Sequence, residues 1–156
     1  MIKLVDLLLE GARDKGIFKA IFLAGGPGSG KSYVAQQLFG IPEKVNVSKT
    51  GLKMVNSDSE LEMLLNKYFG TTDIDLMPDE LFADLTGVDK QGNPVDYETS
   101  GLRDFAKTLT VQRLKLYTDG KLGVIIDGTG HDFGKVKDRR KDLMDLGYDT
   151  YMVFVN

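Results

Sequence analysis

The sequence predicts a three-layer α/β fold, in which helices cover both faces of a mainly parallel β-sheet. Short apolar strand patterns alternate along the chain with amphipathic helix patterns, which is typical of βαβ units. The strand patterns lack a clean polar alternation, as expected for strands that are buried between two helical layers. With 156 residues the chain has room for one domain, because domains usually contain about 100–200 residues.

The predicted elements follow one another in a regular order. They are a leading helix at 1–12, a strand at 18–24, helices at 31–39, 78–85, 101–117 and 132–146, a weaker strand at 52–56, a helix that starts at 57, and strands at 122–126 and 151–155. Ser57 and Glu60 form a capping-box pattern at the start of their helix. Most of the Tyr and Phe residues fall at helical core spacing, so we interpret them as structural.

Residues 70–100 are less regular than the rest, with a turn at Gly92-Asn93-Pro94. Long irregular segments in compact domains are often functional, so we predict that this segment is an insertion on the side of the substrate. The chain ends on its last strand pattern. The interpretation of 1–156 as a single domain therefore leaves open that the domain is incomplete at its C-terminus.

Composition excludes several classes of protein. Lys and Arg number 20 against 23 Asp and Glu, a net charge of −3, which argues against a general nucleic-acid-coating protein. The absence of cysteine excludes disulfides, thiolate nucleophiles and cysteine-based zinc sites. No apolar run approaches the ~18 residues of a membrane span, and the first residues lack a secretory signal pattern. We therefore expect a cytoplasmic protein that does not associate with membranes.

The junction between the first strand pattern and the next helix carries a phosphate-binding motif. The pattern G-x-x-x-x-G-K-[ST] is matched in full by Gly25, Gly26, Pro27, Gly28, Ser29, Gly30, Lys31 and Ser32. Glycines allow several N–H groups to point at one anion, and the start of the helix adds positive potential. Lys31 can reach the β- and γ-phosphates, and the Ser32 hydroxyl can bind Mg²⁺. We predict a nucleoside triphosphate site rather than an incidental glycine-rich turn.

Two acids follow strand patterns. Asp127 directly follows the apolar stretch 124–126. A phosphate-binding loop requires an acid at the end of a neighbouring strand that helps to hold Mg²⁺. An Asp-Gly pair can also simply begin a turn. Asp58 follows the strand at 52–56, at the edge of a parallel sheet where ligands bind. Such an acid can orient an attacking hydroxyl, although the helix dipole alone also favours an Asp in a first turn.

Three segments together resemble the zeta-toxin and polynucleotide-kinase group of P-loop kinases: GGPGSGKS at 25–32, VNSD at 55–58 and VIIDGTG at 124–130. The resemblance implies that Asp58 serves the acceptor hydroxyl and that Thr129 contacts substrate or phosphate. His131 stands where zeta-like members carry a substrate-binding arginine, so we treat it as a possible substrate contact.

Arginines that clamp the γ-phosphate in this group normally follow a further strand and helix. Three explanations stay open for their absence here: the chain is a fragment, another arginine substitutes, or the protein binds nucleotide with little catalysis. The candidate substitutes are Arg103, Arg113, Arg139 and Arg140, and Arg103 is also a candidate substrate contact.

The function that these patterns favour is a kinase that uses ATP and Mg²⁺ as cofactors. Its acceptor would be a hydroxyl group of a small metabolite, a nucleotide sugar or a nucleic-acid 5′ end, so nucleic acid enters only as an end substrate. The alternatives are a P-loop ATPase or nucleotide switch, in which water is the acceptor, and an ATP-binding domain without transfer activity. The sequence indicates neither the acceptor nor the oligomeric state.

Overall fold

A computed structural model of the chain describes residues 17–26, 28–41, 47–95, 101–128 and 132–156. The strands are β1 (Lys19–Ala24), β2 (Lys53–Val55), β3 (Val124–Gly128) and β4 (Asp149–Phe154). The α-helices are α1 (Lys31–Phe39), α2 (Ser57–Phe69), α3 (Asp79–Thr86), α4 (Leu102–Asp119) and α5 (Phe133–Asp145), and a 3₁₀ turn spans Ile74–Leu76. The predicted helix at 1–12 lies outside the described residues.

The four strands form one sheet in the order β2-β3-β1-β4, and every neighbouring pair is parallel. Alternate residues of β1 face opposite sides of this sheet. Ile21 and Leu23 pack with Ala35 and Phe39 of α1, whereas Ala20 and Phe22 pack in a second cluster that includes Leu143 of α5. Helices therefore cover both faces, and the predicted α/β class with a parallel sheet is confirmed.

The chain divides into two compact units. The first, here called the sheet unit, comprises Met1–Val55 and Leu114–Asn156; the second, the helical unit, comprises Asn56–Arg113. The helical unit has its own apolar core, built from Leu61, Leu64, Leu65, Met77, Leu85 and Ala106. It contains the described part of the segment 70–100, whose role beside the substrate stays a prediction.

The start of α2 corrects the predicted capping box. Asn56, not Ser57, is the N-cap residue, and its Oδ1 accepts a hydrogen bond from the Asp58 N–H at 2.8 Å. Glu60 is buried and forms an ion pair with Arg113 at 2.6 Å. Because its carboxylate is used in the core of the helical unit, it is not the reciprocal half of a capping box.

The predicted core role of the aromatic residues is correct for Phe22, Phe39 and Tyr148, which are buried. It is wrong for a larger set of exposed rings on helices, Tyr33, Tyr68, Phe69, Phe105 and Phe133. Helical spacing identifies the residues that share a face, but a face is buried only where another element covers it.

None of the described helices is both long enough and apolar enough to cross a bilayer.

Candidate nucleotide-binding site

The loop between β1 and α1 has the backbone shape that its glycines predict. Gly28 and Gly30 adopt left-handed angles, with φ of 73° and 85°, which side chains with a Cβ rarely tolerate. The Ser29 N–H donates to the Gly26 carbonyl oxygen at 3.2 Å and closes a tight turn. Pro27 lies outside the described residues.

The first turn of α1 is left without a side-chain cap. Gly30 is its N-cap residue, and the first turn contains no acidic side chain. By contrast, Asn56 caps α2 and Asp132 caps α5 through side-chain oxygens. The free N–H groups at the start of a helix attract anions, so the N-terminus of α1 is suited to binding a phosphate group.

Lys31 is held against the loop. Its Nζ donates to the carbonyl oxygens of Gly25 at 2.9 Å and Gly26 at 3.0 Å. An ammonium group has three donors, so these two bonds leave one N–H for a further acceptor. The loop thus fixes a positive charge beside the uncapped helix start, where the charge of a polyphosphate would be compensated.

Gly25 is required for space rather than for its backbone angles. A Cβ at this position would lie 2.5 Å from the carbonyl oxygen of Val155 and 2.6 Å from the Ser29 Oγ. Val155, directly after β4, also donates its N–H to the Ala24 carbonyl oxygen at 2.8 Å. The end of β4 therefore supports the loop from behind, a contact that no local sequence signal could have predicted.

Asp127 lies at the same edge of the sheet as the loop. It is the register partner of Leu23 in the β1–β3 pair, two residues before Gly25, and its Oδ1 atom is buried. Ser32, the other predicted metal ligand, is exposed in the first turn of α1. A hydroxyl and a carboxylate fit Mg²⁺, which prefers oxygen ligands and usually binds one or two carboxylates together with phosphates and waters.

No cluster of three or more acidic or histidine side chains suited to holding a metal occurs among the described residues.

The remaining predicted contacts are distributed as follows. Asp58 is exposed on α2 in the helical unit, whereas the loop and Asp127 belong to the sheet unit. Thr129 and His131 lie outside the described residues. Arg103 donates from its Nη2 to the Leu85 carbonyl oxygen at 3.0 Å, and its contact with substrate stays a prediction.

Three of the four candidate arginines have structural partners. Besides Arg103, Arg113 is paired with Glu60, and the Arg140 Nε donates to the Thr150 Oγ1 at 3.0 Å. Arg139, an exposed residue on α5 in the sheet unit, makes no hydrogen bond or ion pair within the described ranges. Among these side chains it is the one that a phosphate could engage without breaking an existing contact.

Comparison with known proteins supports the fold. A chain from the PezAT chromosomal toxin–antitoxin system of Streptococcus pneumoniae matches with a TM-score of 0.54 and 16% sequence identity. The match covers 96% of the present chain and 52% of the other, so this chain spans about half the length of the structure that it matches. No protein-family pattern matches the sequence, and no curated protein does. At this level of identity the likeness establishes a similar fold and no activity.

Proposed function

We propose that the protein is an ATP-dependent phosphotransferase that moves the γ-phosphoryl group of ATP to a hydroxyl group. The acceptor belongs to a small metabolite, a nucleotide sugar or a nucleic-acid 5′ end. The observation that carries the proposal is the loop from Gly25 to Ser32, with its two left-handed glycines, its fixed lysine and its uncapped helix start. The fold likeness to a toxin–antitoxin chain agrees with the resemblance to zeta-toxin kinases.

In this proposal the loop binds and orients the donor. The backbone N–H groups around Gly28 and Gly30 bind the α- and β-phosphates, and Lys31 donates to a β- or γ-phosphate oxygen. Such preorganised donors stabilise the charge that develops during phosphoryl transfer, and they need no rearrangement at the moment of reaction. Positioning and electrostatic stabilisation are the main contributions that proteins make to this chemistry.

Ser32 and Asp127 would hold Mg²⁺. Bound there with the nucleotide, the ion would neutralise negative charge on the β- and γ-phosphate oxygens. Asp127 would act through its carboxylate and Ser32 through its hydroxyl oxygen, both hard donors of the kind that this ion selects. These two residues therefore supply oxygen ligands for Mg²⁺, and the phosphates of the nucleotide would supply others.

The acceptor side of the reaction is assigned to Asp58. Its carboxylate would orient the acceptor hydroxyl and accept the proton as the new O–P bond forms, while the bond from the γ-phosphorus to the β–γ bridging oxygen breaks and ADP leaves. In the described residues the Asp58 carboxylate has no hydrogen bond or ion pair, and its backbone N–H bonds to Asn56. Arg139 is the proposed partner of the γ-phosphate.

The test is a mass-spectrometric screen in which the protein is incubated with Mg·ATP and pooled metabolites and short oligonucleotides. We expect an acceptor that gains one phosphate, and we expect no such product with Lys31→Ala. Phosphorylated product at an undiminished rate with Lys31→Ala would contradict the assignment of the loop. ADP formation without a phosphorylated acceptor would favour the ATPase alternative, and ATP binding without turnover would favour a binding domain.

A matched pair of variants tests the arginine. Arg139→Ala should reduce transfer, because the γ-phosphate loses a cation, whereas Arg140→Ala should leave transfer nearly unchanged and mainly lose the bond to Thr150. Equal effects of the two substitutions on the transfer rate would remove the distinction between them.

A further inference from the structure

Tyr33 is a largely exposed aromatic side chain that belongs to none of the apolar clusters in the described part of the chain. It is the third residue of α1, directly after Ser32, and it is 66% exposed. The contacts of α1 with the sheet are made by Ala35, Leu38 and Phe39 instead. No hydrogen bond, ion pair or ring contact involves Tyr33 within the described ranges.

Its place on the helix directs it toward the phosphate-binding loop. Helical side chains tilt toward the N-terminus, so a residue covers the turn that precedes it. For Tyr33 this preceding turn contains Gly30 and Lys31. Among the described residues, a Cβ on Gly26, Gly28 or Gly30 would meet no atom within 4 Å beyond its chain neighbours, so Tyr33 does not cover these loop positions and a ligand has room there.

We infer that the ring of Tyr33 packs against the nucleoside part of the bound triphosphate, that is, its ribose and base. This inference rests on the proposed nucleotide-binding function. The loop offers charge and backbone donors, which suit the phosphates but give no apolar contact to a base. A tyrosine supplies a flat apolar surface with a polar tip that can stay in water. Tyr33 thereby makes the site selective for a nucleotide over a bare polyphosphate.

The first experiment compares two ligands, Mg·ATP and Mg·tripolyphosphate, which share the phosphate chain and differ in the nucleoside. Tyr33→Ala should weaken ATP binding by about 10-fold, in the range of lost base–aromatic stacking, and should leave tripolyphosphate binding within about twofold, since the loop is intact. Tyr33→Phe should bind ATP like the parent protein. Tyr68→Ala is the matched control, because Tyr68 is 59% exposed and lies in the helical unit.

The second experiment uses fluorescence. The chain contains no tryptophan, so Tyr33→Trp introduces a single indole at the proposed contact. Its emission should change on addition of Mg·ATP and should not change with Mg·tripolyphosphate. The emission of Tyr68→Trp should respond to neither ligand.

The outcomes separate the two proposals. Equal loss of both ligands in Tyr33→Ala, or no loss of either, would overturn the nucleoside contact while the loop assignment stands. An unchanged emission of Tyr33→Trp at saturating ATP would also overturn it. Failure of the parent protein to bind either ligand would overturn the proposed function itself, and the nucleoside contact with it.

Discussion

Position 25 requires glycine because there is no space for a side chain, and not because of its backbone angles. A Cβ on Gly25 would lie 2.5 Å from the Val155 carbonyl oxygen, whereas a Cβ on Gly26 would meet no atom of the described residues within 4 Å beyond its chain neighbours. We expect Gly25→Ala to lower the free energy of unfolding by about 1–3 kcal/mol, the usual cost of forcing an extra methyl group into a packed site.

Thermal unfolding of Gly25→Ala beside Gly26→Ala would test this prediction. The second variant serves as the control and should unfold at nearly the temperature of the parent. Equal stability of the two variants would show that the end of β4 does not constrain the loop.

The ionisation of Asp89 makes the stability of its turn depend on pH. Its carboxylate accepts hydrogen bonds from the Asn93 side chain at 2.8 Å, the Asn93 N–H at 2.8 Å and the Gln91 N–H at 2.9 Å. These bonds, the Asn93 side chain first, lower the pKa of Asp89 below its ordinary value of 3.8. Because the folded-state pKa is lowered, the carboxylate stabilises the turn above the unfolded pKa, and this stabilisation is lost as the pH falls through the folded pKa.

An NMR titration of the Asp89 side chain should give a pKa below 3.8. The pKa should rise in Asn93→Ala, because both the strongest donor and the shape of the turn are affected. An unchanged pKa in that variant would contradict the assigned cause.

At the scale of the element, α2 begins with two neighbouring residues, Asn56 and Ser57, that are both suited to capping a helix, and the sequence pattern selected the wrong one. Asn56 is the N-cap residue, and its Oδ1 accepts the Asp58 N–H. Asn56→Ala should therefore destabilise the protein by about 1 kcal/mol, the typical cost of losing a cap, whereas Ser57→Ala should have little effect. Denaturant unfolding of the two variants measures the difference. A larger loss in Ser57→Ala would restore the capping box.

The elements themselves were largely predictable from local patterns. The strands and the other α-helices that the structure describes begin and end within two residues of the predicted ranges, and α2 begins at the predicted residue 57, because apolar periodicity and terminal glycines are local signals. The 3₁₀ turn at Ile74–Leu76 was not predicted. The burial of Glu60 was not predictable either, since it depends on Arg113, far away in the sequence.

For the candidate site too, local signals were predictable and contacts between distant segments were not. The motif identified the loop and Lys31 because their chemistry is contained in eight consecutive residues. The support from Val155 and the exposure of Tyr33 depend on packing between distant segments, which no residue spacing encodes.

At the scale of the whole molecule, the candidate residues divide between the two units. The loop and Asp127 belong to the sheet unit, and Asp58 belongs to the helical unit. We therefore expect Asp58→Asn to leave ATP affinity within about twofold, since the loop is unchanged. It should lower phosphoryl transfer by about 100-fold or more, as expected for loss of a general base.

Parallel binding and transfer assays would separate these effects of Asp58→Asn, with Glu62→Gln, an exposed acid on the same helix, as the control. Undiminished transfer by Asp58→Asn would exclude the acceptor role of Asp58. It would leave nucleotide binding by the loop untouched.

The most direct test of the account is calorimetric titration of Mg·ATP into the parent protein and into Lys31→Ala. The proposed site requires binding heat that saturates at one nucleotide per chain in the parent, with binding lost or strongly weakened when the lysine is removed. The claim that this glycine loop holds a triphosphate would be contradicted if the parent gave no binding heat and the purified protein carried no bound nucleotide.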